Sequence, residues 1–302
     1  MEIKMNKCLA LVLGGGGARG ALQVGACQAL FEAGYQPDLI VGTSIGAANA
    51  AALGLWGANL AALEKLDAAY QEAADSQLMD SRLARLVVQF VAGRMDRQGS
   101  RLVGRFMASK GITSTLRFDE LTGARIGLVG ADLESGEPVI YGKSPDQSVM
   151  EGVLASTAIQ PWFTPIEKDG HWIVDGGFVS GLPIEPAMTL GATEIIALDL
   201  NDPYGGLGRD DPRSQYIEKV IFSINQRQAN LELALAAARG VTVRYLPLRS
   251  SPSVTIWDFS KHRQLFQNGY ETTCKEIQGW KQPNWSPIAQ VARQIFAEGC
   301  SQ

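Results

Sequence analysis

Ser44 is the residue of this chain best placed to act as a nucleophile. It stands in Gly42-Thr43-Ser44-Ile45-Gly46, between the apolar run Asp38-Leu39-Ile40-Val41 and the small-residue run Ile45 to Leu53. The first run reads as a short buried strand and the second as the opening of a buried helix. A serine on the tight turn between them has its hydroxyl pushed outward at the positive end of the helix. Gly42 and Gly46 permit the turn and the close approach of neighbouring backbone. The bland alternative is an ordinary helix N-cap. A serine so placed can attack an acyl carbonyl if a base and a seat for the developing oxyanion are nearby.

The seat is suggested by a second cluster, Gly14-Gly15-Gly16-Gly17-Ala18-Arg19-Gly20. It follows the apolar run Cys8 to Leu13 and precedes Ala21 to Ala33, where apolar residues recur at helical spacing. Consecutive glycines at a helix start leave backbone N–H groups free for an anion. Gly15-x-Gly17-x-x-Gly20 also satisfies the dinucleotide-binding fingerprint, which requires an acid at the end of the second strand. Here that strand ends in Gly42-Thr43-Ser44, and Asp38 lies at its beginning. A phosphate-binding loop of the Gly-Lys-Ser/Thr kind is absent. An oxyanion hole is the better account, each donor contributing roughly 3–4 kcal/mol.

The base is harder to place. The chain has two histidines, His171 and His262. His171 precedes an apolar strand, and His262 stands in the polar run Ser260-Lys261-His262-Arg263, where a solvated side chain is expected. Asp175 closes the apolar strand Ile173-Val174 and is followed by Gly176 and Gly177. A carboxylate can take the serine proton if partial burial raises its pKa toward neutrality. The alternative for Asp-Gly-Gly is a tight turn with an Asx hydrogen bond.

Taken in order, Gly15-Gly16-Gly17-Ala18-Arg19-Gly20, Gly42-Thr43-Ser44-Ile45-Gly46 and Asp175-Gly176-Gly177 resemble the patatin-like phospholipase family. Ala155-Ser156, followed by Thr157 to Pro165, is similar to a further segment of that family, and Ala131 to Glu137 to its central strand and turn. The resemblance spans about residues 8 to 200. It implies a Ser44–Asp175 dyad, an oxyanion hole from the amides of Gly15, Gly16 and Gly17, and phospholipid, lysophospholipid or acylglycerol substrates cleaved through an acyl-enzyme. It implies no metal and no cofactor. Arg19, Gly20, Gly42, Gly46, Gly176 and Gly177 then support the motifs, Arg19 by bracing the glycine loop or meeting a substrate phosphate. The chain departs from the family at Gly181-Leu182-Pro183, where Asn-x-Pro is usual, so a loop-fixing side chain is expected to be missing there. The two alternatives to this reading are a dinucleotide-binding protein and a patatin-like lipid- or partner-binding protein with an idle site.

Other chemistry-bearing residues read as structural. Asp132 and Asp199 end apolar strands and are expected to be buried turn carboxylates. Cys8 and Cys27 read as small core residues, and no group of His, Cys and carboxylates has metal spacing.

The elements that must position these residues alternate strand and helix: strands 8–13, 38–41, 125–132, 138–141, 171–174, 194–199 and 241–246, with helices 18–33 and 45–57. That order predicts an α/β fold, a doubly wound and mostly parallel sheet sandwiched by helices, with its ligand edge at the strand carboxyl ends. One domain over 1–302 is expected, including a helical tail over 250–302 and a helical cap insertion over 58–117 (helices 60–74, 82–91 and 101–108). That insertion either packs over the sheet or caps the site, with Phe90, Met95, Phe106 and Met107 as acyl-chain lining. A loop over 201–214 and a helix over 215–239, apolar along Ile217, Val220, Ile221, Ile224, Leu231 and Leu235, lie between. The 302 residues, 46% of them hydrophobic, suffice for a large core. The net charge of −4 argues against nucleic acid as a partner. Four scattered cysteines fit a reducing cytoplasm. The run 8–13 leads straight into the glycine loop and reads as a strand, not a leader. No run is long enough to span a membrane, and Trp257, Trp280 and Trp285 leave peripheral membrane contact open.

Overall fold

Apolar runs with no polar alternation build the centre of the sheet, as expected of strands covered on both faces. In the computed structural model, residues 7–75, 98–160, 163–203 and 212–280 are described. The strands are β1 (Leu9–Leu13), β2 (Leu39–Thr43), β3 (Arg125–Asp132), β4 (Pro138–Tyr141), β5 (Ile166–Lys168), β6 (His171–Asp175), β7 (Glu194–Asp199) and β8 (Thr242–Pro247). They form one sheet in the order β5-β6-β3-β2-β1-β7-β8, with β4 also on β3. Strands β3, β2, β1, β7 and β8 are mutually parallel. The pairings of β4 with β3, β6 with β3 and β5 with β6 are antiparallel, so the sheet is mixed, its parallel part being the larger.

The register on β3 matters for the site. Leu39 to Thr43 of β2 lie opposite Arg125 to Val129, and Ile173 to Asp175 of β6 lie opposite Asp132 to Gly130. Strand β4 overlaps both sets, pairing with Leu128 to Ala131. A strand has only two edges, so β2 and β6 share one edge of β3, end to end.

Alternate side chains of β1 enter two cores. Leu11 and Leu13 face one, with α1 (Gly20–Glu32), α2 (Ile45–Trp56), α3 (Leu60–Asp75), α5 (Val149–Ser156) and α8 (His262–Trp280); Ala10 and Val12 face the other, with α6 (Ile184–Thr189) and α7 (Pro212–Ala238). The remaining α-helix among the described residues is α4 (Gln98–Ser109). Helix α1 is buried almost all round because α8 covers its outer side at backbone contact. A Cβ on Gly25 would lie 1.9 Å from Phe266 O, and one on Gly269 would lie 2.0 Å from Leu22 O. The described part of the expected tail is therefore packed on the domain, with Trp280 edge-on to Tyr35.

Two expectations change, and part of the cap insertion packs as core. Helix α7 leaves Val220, Ile221, Ile224 and Leu231 exposed and buries Ala229, Glu232, Leu233 and Ala236 instead, so its inward face is not the one that apolar periodicity selects. His262 is buried, its Nδ1 against Phe259 O at 3.1 Å. In the cap insertion, Leu63, Leu66 and Tyr70 of α3 and Met107 of α4 belong to the core. Phe90, Met95, Trp285, helix 82–91 and most of loop 201–214 lie outside the described residues.

Candidate active site

Ser44 occupies the turn between β2 and α2 with φ 57° and ψ −124°, a conformation that L residues rarely adopt and that costs on the order of 1–3 kcal/mol. The glycines around it are steric requirements. A Cβ on Gly46 would lie 2.1 Å from Leu13 O, and one on Gly42 would lie 2.2 Å from Gly46 O. The strain is held by partners on both sides. Ser44 N–H donates to Ser156 Oγ at 2.9 Å, and Ser156 Oγ–H donates to Val129 O at 2.6 Å. Ser156 lies at the end of α5, so its hydroxyl ties the turn to β3. Nothing in the sequence beyond its place in the Ala155-Ser156 segment signals that role.

Asp175 ends β6 opposite Gly130, one position beyond the Thr43–Val129 pair. It is 3% exposed. Oδ1 accepts the Gly177 N–H at 2.8 Å, the Asx turn expected of Asp-Gly-Gly. Oδ2 is buried without a hydrogen bond of ordinary geometry. Burial raises the pKa of Asp175 to about 6, and the nearby Ser44 hydroxyl and the Gly177 N–H offset part of that rise. The turn reading and the base reading of Asp175 are thus compatible, one oxygen serving each.

The glycine loop lies against both groups. Gly15 N–H donates to Gly181 O at 2.9 Å, Gly14 N–H to Leu198 O at 3.1 Å and Ala18 N–H to Ile256 O at 2.7 Å. Among the described residues the N–H groups of Gly16 and Gly17 have no acceptor. These two amides are the ones available to an oxyanion, while Gly15 holds the loop to the segment after Asp175. Gly17 has φ 58°, and a Cβ there would lie 2.2 Å from Ile256 O. The contribution of Ile256, from beyond β8, was not visible in the sequence.

Behind the loop a buried polar chain fixes its carbonyls. Tyr70 Oη–H donates to Asn49 Oδ1 (3.1 Å), Asn49 Nδ2 donates to Gln23 Oε1 (3.0 Å) and to Gly20 O (3.2 Å), and Gln23 Nε2 donates to Gly14 O (2.8 Å). Arg19 is 8% exposed, with Nε donating to Gly16 O at 3.3 Å. Burial lowers its pKa, and the charges of Asp202 and Asp199 oppose that shift. Its position suits bracing of the loop.

Asp199 is a turn carboxylate, accepting the Asn201 N–H at 2.9 Å and the Tyr245 hydroxyl at 2.6 Å. Asp132 accepts the Glu134 N–H (3.0 Å) and Ser135 Oγ–H (2.8 Å), and it also pairs with His171 Nδ1 at 2.8 Å. The fold thereby gathers Asp132, Glu134 and His171 with potential ligand atoms within 4.8 Å of one another, a grouping that sequence spacing does not show. Glu134 in turn accepts the Trp172 N–H at 2.8 Å. The three groups close the β3–β4 turn onto β6. His171 is therefore taken up by Asp132 and is not the partner of Ser44.

The chain is similar to known proteins. The model of the family described as patatin-like phospholipase matches residues 11–188. The human patatin-like phospholipase domain-containing protein 6 is 30% identical over 202 residues, covering 66% of this chain and 14% of that protein. An uncharacterized NTE family protein of Mycobacterium bovis is 30% identical over 202 residues, covering 67% of this chain and 51% of that protein. Among solved structures, VipD from Legionella pneumophila aligns over 90% of this chain and 67% of its own, at 16% identity and a TM-score of 0.43. The aligned region is about 14% of the length of the first curated relatives.

Proposed function

The chain belongs to the patatin-like phospholipase family, and we propose that it hydrolyses acyl esters of lipids with Ser44 as nucleophile and Asp175 as its base. The observation that carries the reading is the meeting of a strained Ser44 with a buried carboxylate whose second oxygen is uncommitted. Ser44 Oγ forms a bond to the ester carbonyl carbon as its proton passes to Asp175 Oδ2. The carbonyl electron pair moves onto oxygen, which the Gly16 and Gly17 N–H groups receive. Collapse of that adduct breaks the bond to the alcohol oxygen, which leaves with the proton from Asp175. Water then repeats the sequence on the acyl-enzyme, giving up a proton to Asp175 and releasing the fatty acid and Ser44. Phospholipid, lysophospholipid and acylglycerol esters all present the carbonyl this chemistry needs.

Treatment of the purified protein with a fluorophosphonate and with p-nitrophenyl esters tests this. Labelling and turnover are expected in the wild type, both lost in Ser44→Ala, with turnover lost in Asp175→Ala. A folded wild type that does neither overturns the hydrolase reading, and turnover that survives in Asp175→Ala overturns the dyad.

A further inference from the structure

Glu232 is a buried acid outside the chemistry described above. It lies on the inward face of α7, 8% exposed, in an apolar core with Leu182, Ile184, Ala229, Leu233 and Ala236. A carboxylate there is costly unless its oxygens are hydrogen-bonded, and packing alone would be met as well by an aliphatic side chain. Its two oxygens reach opposite ends of one turn. Oε1 accepts Ser180 Oγ–H at 2.7 Å, and Oε2 accepts the Glu185 N–H at 2.7 Å.

That turn touches all three parts of the site. Ser180 N–H donates to Gly176 O at 2.8 Å, next to Asp175. Ser180 O accepts Thr43 Oγ1–H at 2.8 Å, next to Ser44. Gly181 O accepts the Gly15 N–H at 2.9 Å in the glycine loop. The elbow, the base loop and the oxyanion loop are thus hung on residues 180 and 181. We infer that Glu232 is a positioning residue that clamps the Ser180–Glu185 turn and through it sets the mutual placement of Ser44, Asp175 and the glycine loop. This rests on the Ser44–Asp175 reading. It also answers the turn at Gly181-Leu182-Pro183, for which the sequence offered no fixing side chain: the fixing group comes from α7, some fifty residues on.

The test compares wild type, Glu232→Ala, Glu232→Gln and Ser180→Ala by kcat, KM, fluorophosphonate labelling rate and thermal melting. In Glu232→Gln the amide oxygen accepts the Glu185 N–H and the amide nitrogen donates to Ser180 Oγ, so the clamp survives without charge. Misplacement of reacting groups acts on kcat. In Glu232→Ala kcat and labelling rate are expected to fall at least about tenfold, with KM within about threefold, while Glu232→Gln stays within about threefold of wild type. Ser180→Ala, which removes one of the two donors, should fall between them and decides the matter if Glu232→Ala does not fold. A folded Glu232→Ala or Ser180→Ala with unchanged kcat overturns the clamp, as does a Glu232→Gln no better than Glu232→Ala. In those cases wild-type turnover leaves the dyad standing. A folded wild type that neither labels nor turns over removes the dyad and the clamp together.

Discussion

Thr43 and Asp175 occupy consecutive places along one edge of β3, Thr43 opposite Val129 and Asp175 opposite Gly130. Strand β2 ends there because the chain must turn at Ser44, and β6 arrives from the other direction into the space it vacates. The approach of Ser44 to Asp175 is therefore set by backbone register more than by the reach of flexible side chains. Gly176 completes the junction, since a Cβ there would lie 2.2 Å from Val129 O.

That register predicts a pH profile. In the proposed dyad Asp175 must be ionised to accept the Ser44 proton, and burial raises its pKa to about 6. Plotted against pH, kcat/KM should have an acidic limb centred near that value and a plateau above it. Asp175→Asn should abolish the limb along with most of the activity. A limb that persisted in residual Asp175→Asn turnover would assign the titration to another group.

The same burial predicts a stability cost. The Asp175 pKa is raised in the folded state from 3.8 to about 6, so the folded protein binds the proton more tightly than the unfolded chain. The cost is absent below about pH 4, grows between pH 4 and 6, and is complete above. One pKa unit corresponds to about 1.4 kcal/mol, so the penalty at pH 8 approaches about 3 kcal/mol. Asp175→Asn should consequently melt higher than wild type at pH 8, with the gap closing at pH 4.

Ser156→Ala tests the tie across the elbow. It removes the acceptor of the Ser44 N–H and the donor to Val129 O. An unpaired buried polar group costs about 1–3 kcal/mol, and here the loss falls on a turn already held at φ 57°. Denaturant melts should show that loss of stability. The rate of Ser44 labelling should fall as well, because the relaxed turn no longer presents the hydroxyl to the probe. A variant that melts lower but labels at the wild-type rate would make Ser156 a purely structural group.

How much of this was legible in the sequence follows from what each residue's role depends on. Ser44, Gly42, Gly46 and the glycine loop answer local backbone demands, namely a tight turn and close approach of neighbouring chain, and such demands leave a local pattern. Asp175 was legible for the same reason, since a strand end followed by two glycines is a local event. Ser156, Gln23, Ile256 and Glu232 act through partners 112, 175, 238 and 52 residues away at the farthest, and no spacing rule links them. Helix α7 was misjudged because its larger apolar side chains, Val220, Ile221 and Ile224, stay outside while Glu232 goes in. Periodicity measures hydrophobicity, and the buried face combines small apolar residues with a carboxylate held by two hydrogen bonds. Strands over 138–141 and 171–174 were legible, but β5, with three residues, was not, and the antiparallel pairing follows turns at Gly136 and Gly170, both at positive φ.

Gly46→Ala separates steric need from conformational need. Its Cβ would meet Leu13 O at 2.1 Å and Gly14 O at 2.9 Å, both backbone atoms that cannot yield without moving β1. Gly34, at φ 86°, has nothing within 4 Å of the Cβ position, so Gly34→Ala should cost only the conformational strain of about 1–2 kcal/mol. Gly46→Ala should either fail to accumulate as folded protein or lose several kcal/mol in a denaturant melt. Comparable stability in the two variants would mean that the elbow is less tightly seated on β1 than these distances imply.

The polar chain behind the glycine loop gives the remaining prediction. Gln23 donates to Gly14 O and accepts from Asn49, so it links the loop to α2, and Tyr70 extends the chain to α3. Gln23→Met keeps the volume but leaves a buried Asn49 donor and the Gly14 carbonyl short of a partner, an expected loss of about 1–3 kcal/mol. Tyr70→Phe removes only the terminal hydroxyl, and about 1 kcal/mol is expected from it. Because the groups polarise one another in a dry interior, the two losses should not add; the double variant should lose less than their sum. The effect on catalysis should follow the same order. Gln23 touches the carbonyl of Gly14, two residues ahead of the free Gly16 N–H, so Gln23→Met should lower kcat through a displaced oxyanion seat. Tyr70→Phe, two hydrogen bonds farther back, should leave kcat nearly unchanged. Strict additivity in the melts would show that Gln23 and Tyr70 act singly and not as a coupled chain.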